Sequence, residues 1–194
     1  MAEGWDVRIV PPPERIEAGA APRADDESLE AYVLRLARLK GQAVVDMGIE
    51  GTILACDTLS DVDGVVLGKP RDRDDARRML RLLSGRSHRV LTGVWIQRAA
   101  GLPGPAPTGR ATEPGLPGQP LEAVEESWLD MGPLDEPFLE WYLDSGLWRG
   151  KAGACGFQDE RLPLRLAAGS GSNVVGFPLE RIRAMLADMD AAGD

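Results

Sequence analysis

Stretches of period two alternate along the chain with stretches of period 3.6, and the alternation lays out its elements. Near the N-terminus, residues Trp5 to Val10 run apolar and polar in turn, as a half-buried strand does, and Pro11, Pro12 and Pro13 stop the pattern. From Ser28, a natural N-cap, the residues Leu29, Tyr32, Val33, Leu36, Leu39, Ala43 and Val44 fall on one stripe and predict a helix. Gly51-Thr52 leads into the apolar run I-L-A-C, a buried strand expected to end at Asp57-Thr58. Asp63-Gly64 marks a turn, and Val65 to Leu67 form the return arm of a hairpin before Gly68-Lys69-Pro70.

The second half repeats this alternation. A helix capped by Asp72 or Asp74 turns Ala76, Met79, Leu80 and Leu83 inward and Arg77, Arg78 and Arg81 outward, with Gly85 just past its end. His88 to Ile96 and Leu121 to Met131 read as strands, Leu134 to Asp144 as a helix closed by Gly146, and Leu162 to Leu166 as a further strand. A final helix from Leu179 keeps Ile182, Met185, Leu186 and Met189 on one face. Between Ala100 and Pro120 the chain carries six prolines and five glycines without periodicity, which predicts a loop inserted between paired strands. The whole reads as one α/β domain over residues 1–194, a mixed sheet flanked by helices, with the Gly/Pro-rich insertion at 99–120.

Composition narrows the function. With 194 residues, 43% of them apolar, the chain can bury a core without staples. Its net charge of −9 argues against a surface that tracks nucleic acid, and no apolar run approaches the ~18 residues of a membrane span. Two cysteines, Cys56 and Cys155, with no leader segment, suggest a reducing cytoplasm rather than a disulfide framework. Among 22 basic residues only Lys40, Lys69 and Lys151 are lysines. An ammonium is a compact point charge that a guanidinium fork does not replace, so each surviving lysine is a candidate for a contact that needs an ammonium, against the plainer reading of chance.

Candidate chemistry follows from position. A carboxylate at the end of a core strand, Asp57, suits a divalent cation or the activation of water, against the plainer reading of a turn cap beside Thr58. Lys69 lies between a glycine that admits a ligand and a proline that fixes the backbone, which suits a phosphate-facing ammonium; a solvated loop lysine is the plainer reading. Lys151 in G-K-A-G shares that ambiguity, and Lys40 at a helix end also complements the helix dipole. His88 reads as a hydrogen-bonded structural histidine, Cys56 as inert core, and Cys155, lacking a C-x-x-C partner, as structural. The loop G-S-G-S-N suits an anion nest, but neither a P-loop nor the Rossmann spacing occurs.

Taken together, A-C-D-T-L, the run V-L-G-K-P-R-D-R-D-D-A-R-R-M-L-R-L-L-S-G-R-S-H-R-V-L-T-G-V, G-K-A-G-A-C-G-F-Q and N-V-V-G-F-P-L resemble, in order and spacing, the Maf family (septum formation protein Maf) of nucleoside triphosphate pyrophosphatases. The resemblance runs from about Glu3 to the last helix, with the Gly/Pro loop as its interruption. It implies an elongated α/β fold related to the inosine triphosphatases, a divalent metal such as Mg²⁺ or Mn²⁺, and hydrolysis of a nucleoside triphosphate to monophosphate and pyrophosphate. The family's helix lysine falls on Lys40, its strand-end aspartate on Asp57, its G-K-P lysine on Lys69 and its glutamine on Gln158; an acidic residue falls on Glu17. All three lysines of the chain thus land on family motifs.

In this reading Lys40, Lys69 and the metal stabilise the charge that spreads as water attacks the α-phosphorus, while Asp57 orients or deprotonates the water. Glu17 and Asp57 share the metal, Thr58 and Lys151 contact substrate, and Gln158, with donors and an acceptor, reads a base edge, favouring dTTP or UTP over 7-methyl-GTP. The resemblance also suggests a homodimer. Three features depart from the family pattern. Its S-x-S-P-R-R loop precedes the first residue here and has no equivalent elsewhere in the sequence, leaving the phosphate clamp incomplete as written. Leu147 stands where the family has glutamate, and Asp159 follows Gln158 where glycine is usual. The rival expectation is a catalytically impaired nucleotide-binding regulator linked to cell division.

Overall fold

The computed structural model describes residues 5–13, 16, 20–99 and 119–191. Helix α1 (Leu29–Val45) opens on Ser28, whose hydroxyl accepts the Ala31 amide at 3.1 Å. Strands β1 (Gly51–Val62) and β2 (Val65–Leu67) form a tight hairpin around Asp63-Gly64. Helix α2 (Arg73–Leu83) is capped by the Asp72 carboxylate, which accepts the Asp75 amide at 2.8 Å. Then come β3 (Ser87–Ala99), β4 (Leu121–Met131), α3 (Glu136–Ser145), a single 3₁₀ turn at Ala152–Ala154, β5 (Leu164–Ala168), the short α4 (Gly171–Val174) and α5 (Leu179–Ala191).

The α/β class with helices flanking a sheet is as expected, but the described sheet, ordered β2-β1-β3-β4-β5, is antiparallel at every pairing rather than mixed. The β2 hairpin is the reason. It reverses the chain before α2 crosses over, so β3 enters antiparallel to its neighbour β1 and parallel to β2, from which β1 separates it.

Three element expectations are corrected. β1 does not stop at Asp57-Thr58 but continues to Val62, because Asp57, Thr58 and Ser60 all keep their ladder partners on β3. Backbone pairing, not the apolar run, sets the strand's end. Residues 5–10 form no strand: they have no ladder partner among the described residues, and Trp5 packs against the Val94, Ile96, Ile182 and Met185 cluster. The loop G-S-G-S-N contains the turn of helix α4 instead of remaining irregular. The expected Gly/Pro insertion lies, but for its ends, outside the described residues.

Alternation along β1 and β3 splits the core in two. Ile53 and Leu59 with Leu91 and Trp95 face α1, whereas Leu54 and Cys56 with Val94 and Ile96 face α5. A third cluster beyond the β1–β2 turn joins Val62, Leu67 and Met131 to α2, α3 and Trp148. Arg73, Arg77 and Arg81 of α2 clasp Glu136, Glu140 and Asp144 of α3 across the outside of this lobe. Helix α1 sits unusually close to the sheet, because two side chains are missing there. A methyl at Gly41 would lie 2.1 Å from the Trp95 ring, and one at Gly93 would lie 2.6 Å from the Val33 carbonyl oxygen. Gly93 is also the ladder partner of Asp57, so both positions share the face that α1 covers.

Candidate active site

The short hairpin creates the site. Because β2 pairs only with Ser60 to Val62, the stretch of β1 that bears Asp57 and Thr58 has no neighbour among the described residues on its outer edge, and both faces of the strand open there. A cleft of about 440 Å³ wraps around this edge. Among its lining residues are Lys40, Asp57, Thr58, Lys69, Lys151 and Gln158. A second hollow of about 230 Å³ on the α1 side shares Lys40, Asp57, Thr58 and Lys69 and adds Tyr32, Leu36 and Ile16.

Each group arrives from a different element. Lys40 comes from the last turns of α1, and its ammonium pairs with Asp57 Oδ1. Both side chains are mostly buried, at 20% and 13% exposure, so water screens the pair only partly. Lys69 comes from the segment after β2, between Gly68 and Pro70. The face of β1 opposite Asp57 carries Thr58, whose hydroxyl lies 2.9 Å from that of Thr92. Since Thr92 donates its only hydroxyl proton to the Asn173 carbonyl at 3.1 Å, Thr58 is the donor in the threonine pair and keeps its lone pairs toward the cleft. The buried Asn173 amide ties α4 to the sheet, donating to the Val90 carbonyl at 3.2 Å and to Ser127 Oγ at 2.9 Å.

The far wall is the turn after Trp148. Lys151 donates to both oxygens of Asp159 at 2.7 Å, the Tyr142 hydroxyl donates to Asp159 Oδ2 at 2.5 Å, and the Gly156 amide donates to the same oxygen at 3.1 Å. Burial, and then this carboxylate, push the Tyr142 phenol well above its ordinary range. Gln158 stands exposed between Gly156 and Asp159. The cleft's floor includes Ser60 and His88, both buried, whose Oγ and Nδ1 atoms have no hydrogen-bond partner among the described residues.

The sequence-predicted residues Lys40, Asp57, Thr58, Lys69, Lys151 and Gln158 therefore share one cleft, while Glu17 lies outside the described residues. His88 is a core residue that reaches the floor, with burial lowering its pKa below the ordinary value. Burial likewise pushes the Cys56 and Cys155 thiols up to about 12, so both are inert at neutral pH. Sequence reasoning did not find Tyr142, Thr92 or Asn173. Tyr142 lies in the helix expected over Leu134 to Asp144; its signal is that a buried phenol needs an acceptor, which a carboxylate 17 positions away supplies.

At this open strand edge of an α/β protein the cleft gathers three ammonium groups, Lys40 paired with Asp57 and Lys151 with Asp159 of the wall, an arrangement suited to a phosphate-bearing ligand. The chain belongs to the Maf-like protein family, whose model it matches over residues 4–189. It is 36% identical over 192 residues to a dTTP/UTP pyrophosphatase of Rhodopirellula baltica, an alignment that covers 97% of this chain and 75% of the relative. Against the dTTP/UTP pyrophosphatase of Anaeromyxobacter sp. (strain Fw109-5), identity is 43% over 162 residues, covering 82% and 70%. Against that of Pyrococcus horikoshii it is 35% over 148 residues, covering 76% and 70%.

Proposed function

We propose that this chain hydrolyses a nucleoside triphosphate of the dTTP/UTP type to the monophosphate and pyrophosphate. One observation carries the reading: Asp57 and the chain's only three lysines line a single cleft with Gln158. The names of relatives 34–43% identical over most of the chain support the same substrate class.

The chemistry follows from the groups present. A water oxygen attacks the α-phosphorus, the bond from that phosphorus to the bridging oxygen breaks, and pyrophosphate leaves with the electron pair. Asp57 orients the water and takes its proton, and the Lys40 ammonium holds the carboxylate in place. Lys69 faces the negative charge that spreads over the phosphoryl oxygens; a preorganised contact of this kind is worth about 10²- to 10³-fold in rate. Thr58, Lys151 and Gln158 line the substrate's side of the cleft.

A divalent cation fits this donor set. No three potential ligand side chains converge among the described residues, but Mg²⁺ and Mn²⁺ suit carboxylate oxygen, and Mg²⁺ is held by one or two carboxylates with substrate phosphates completing its shell. Asp57 would hold it, with Glu17 as the second acidic candidate. When bound, the cation neutralises phosphate charge. The reduced cysteines fit a cytoplasmic setting, and no described helix is long and apolar enough to cross a membrane.

The test is pyrophosphate release with Mg²⁺ or Mn²⁺ across dTTP, UTP, CTP, GTP and 7-methyl-GTP, beside an Asp57→Asn control. Release from dTTP and UTP that the control lowers by about 10² or more is expected. No release from folded protein overturns the enzymatic reading in favour of a nucleotide-binding regulator.

A further inference from the structure

Asp159 is the group in the cleft wall whose presence the proposed reaction does not explain. Its carboxylate, 10% exposed, accepts four hydrogen bonds: two from Lys151 at 2.7 Å, one from the Tyr142 hydroxyl at 2.5 Å and one from the Gly156 amide at 3.1 Å. The turn is closed further by the Asp159 amide, which donates to the Gly156 carbonyl at 3.0 Å. A methyl at Gly156 would lie 2.7 Å from Lys151 Nζ, so the backbone there is pressed directly against the ion pair. Helix α3, the residue before the 3₁₀ turn and the segment after it thus converge on one carboxylate. Gln158 is the residue immediately before it.

This arrangement bears on what a glutamine can read. In one orientation, the side-chain amide accepts from the N3–H and donates to the O4 of uracil or thymine. Rotated by half a turn, it suits the N3 acceptor and N4 donor of cytosine equally well. A glutamine on a mobile turn therefore selects little, and preference requires the turn that carries it to be held in one place. The pairing of Lys151 with both Asp159 oxygens also offsets that ammonium's charge, so its first partner is the turn itself.

We infer that Asp159 is a positioning residue that fixes the Gln158 turn through Lys151, Tyr142 and Gly156 and thereby sets the choice between uracil- or thymine-bearing and cytosine-bearing nucleotides. The inference rests on the nucleotide reading above and deepens it. Lys151 acts here as the anchor of the turn.

The experiment measures equilibrium binding by calorimetry, in Mg²⁺ buffer, of non-hydrolysable α,β-imido analogues of dUTP and dCTP to the full chain, to Asp159→Asn and to Tyr142→Phe. Thermal melts are recorded alongside. The wild type is expected to prefer the dUTP analogue. Asp159→Asn shifts that ratio toward unity by about tenfold or more, as loose positioning does at a reading contact, and Tyr142→Phe shifts it less. If Asp159→Asn melts at the assay temperature, Tyr142→Phe, which removes one hydroxyl, decides alone. Weakening of both analogues by the same factor, or no change in either, overturns the inference and leaves the nucleotide reading standing. A wild type that binds both analogues equally also overturns it, and one that binds neither overturns the nucleotide reading together with the inference.

Discussion

Lys69 tests how far a residue's chemistry, as opposed to its charge, sets its role. The chain uses arginine for 19 of its 22 cations, yet a lysine faces the cleft in G-K-P. If an ammonium point charge is what the phosphoryl oxygens require, Lys69→Arg keeps the charge and loses the fit. Pyrophosphate release by Lys69→Arg is expected to fall by about tenfold or more, and by Lys69→Met by about 10² to 10³, each in protein shown by its melt to be folded. An arginine variant with wild-type kcat would reduce this lysine to a generic cation. The six described residues that share the cleft were legible in the sequence, five because each carries a charge or an amide and Thr58 because it adjoins Asp57. Tyr142 and Thr92 were not, because their significance lies in a partner far along the chain, Asp159 and Asn173 respectively.

At the scale of elements, amphipathic periodicity located α1, α2 and α5, and a complete alternation located β4, whose observed bounds match the expected ones. It misplaced the end of β1, since the polar residues there face a cleft and still keep their ladder. It also made a strand of residues 5–10, where the alternation is present but no pairing partner occurs among the described residues. Neither error is visible one segment at a time: strand bounds depend on a neighbour. The tight seat of α1 on the sheet yields an expectation of its own. Gly41→Ala forces a methyl into the Trp95 ring, and the overpacking is expected to cost about 1–3 kcal/mol, read as a lower urea midpoint at an unchanged m-value.

The molecule as a whole carries one histidine, and its burial makes stability depend on pH in a definite direction. Desolvation lowers the His88 pKa in the folded state, outweighing the pull of the Asp130 carboxylate. Above the ordinary value of about 6.5 the ring is neutral whether the chain is folded or not, and it adds no pH dependence. As pH falls below that value, the unfolded chain binds a proton that the folded chain refuses, so stability drops until the depressed folded pKa is reached. Carboxylates act in a lower window: Glu140, held at about 2 by Arg77 and then Arg73, supports the fold above pH 4.5 and loses that contribution as pH falls toward 2. Urea midpoints between pH 7.5 and 5 should therefore decline in the wild type and stay flatter in His88→Gln. A flat wild-type profile would contradict a buried neutral ring.

The absent side chain at Gly93 has a kinetic consequence. This position sits across the ladder from Asp57 and beneath the Val33 carbonyl, so the spacing between helix and sheet there also sets how the Lys40 ammonium meets the Asp57 carboxylate. Gly93→Ala must push the helix away from the strand, and a shift of about 1 Å at reacting groups is enough to cost about 10²-fold. A screen for lost turnover should thus return this buried glycine, in a variant that also unfolds at lower urea than the wild type. In mechanical terms, the site is a caliper whose gap is set by a missing methyl group.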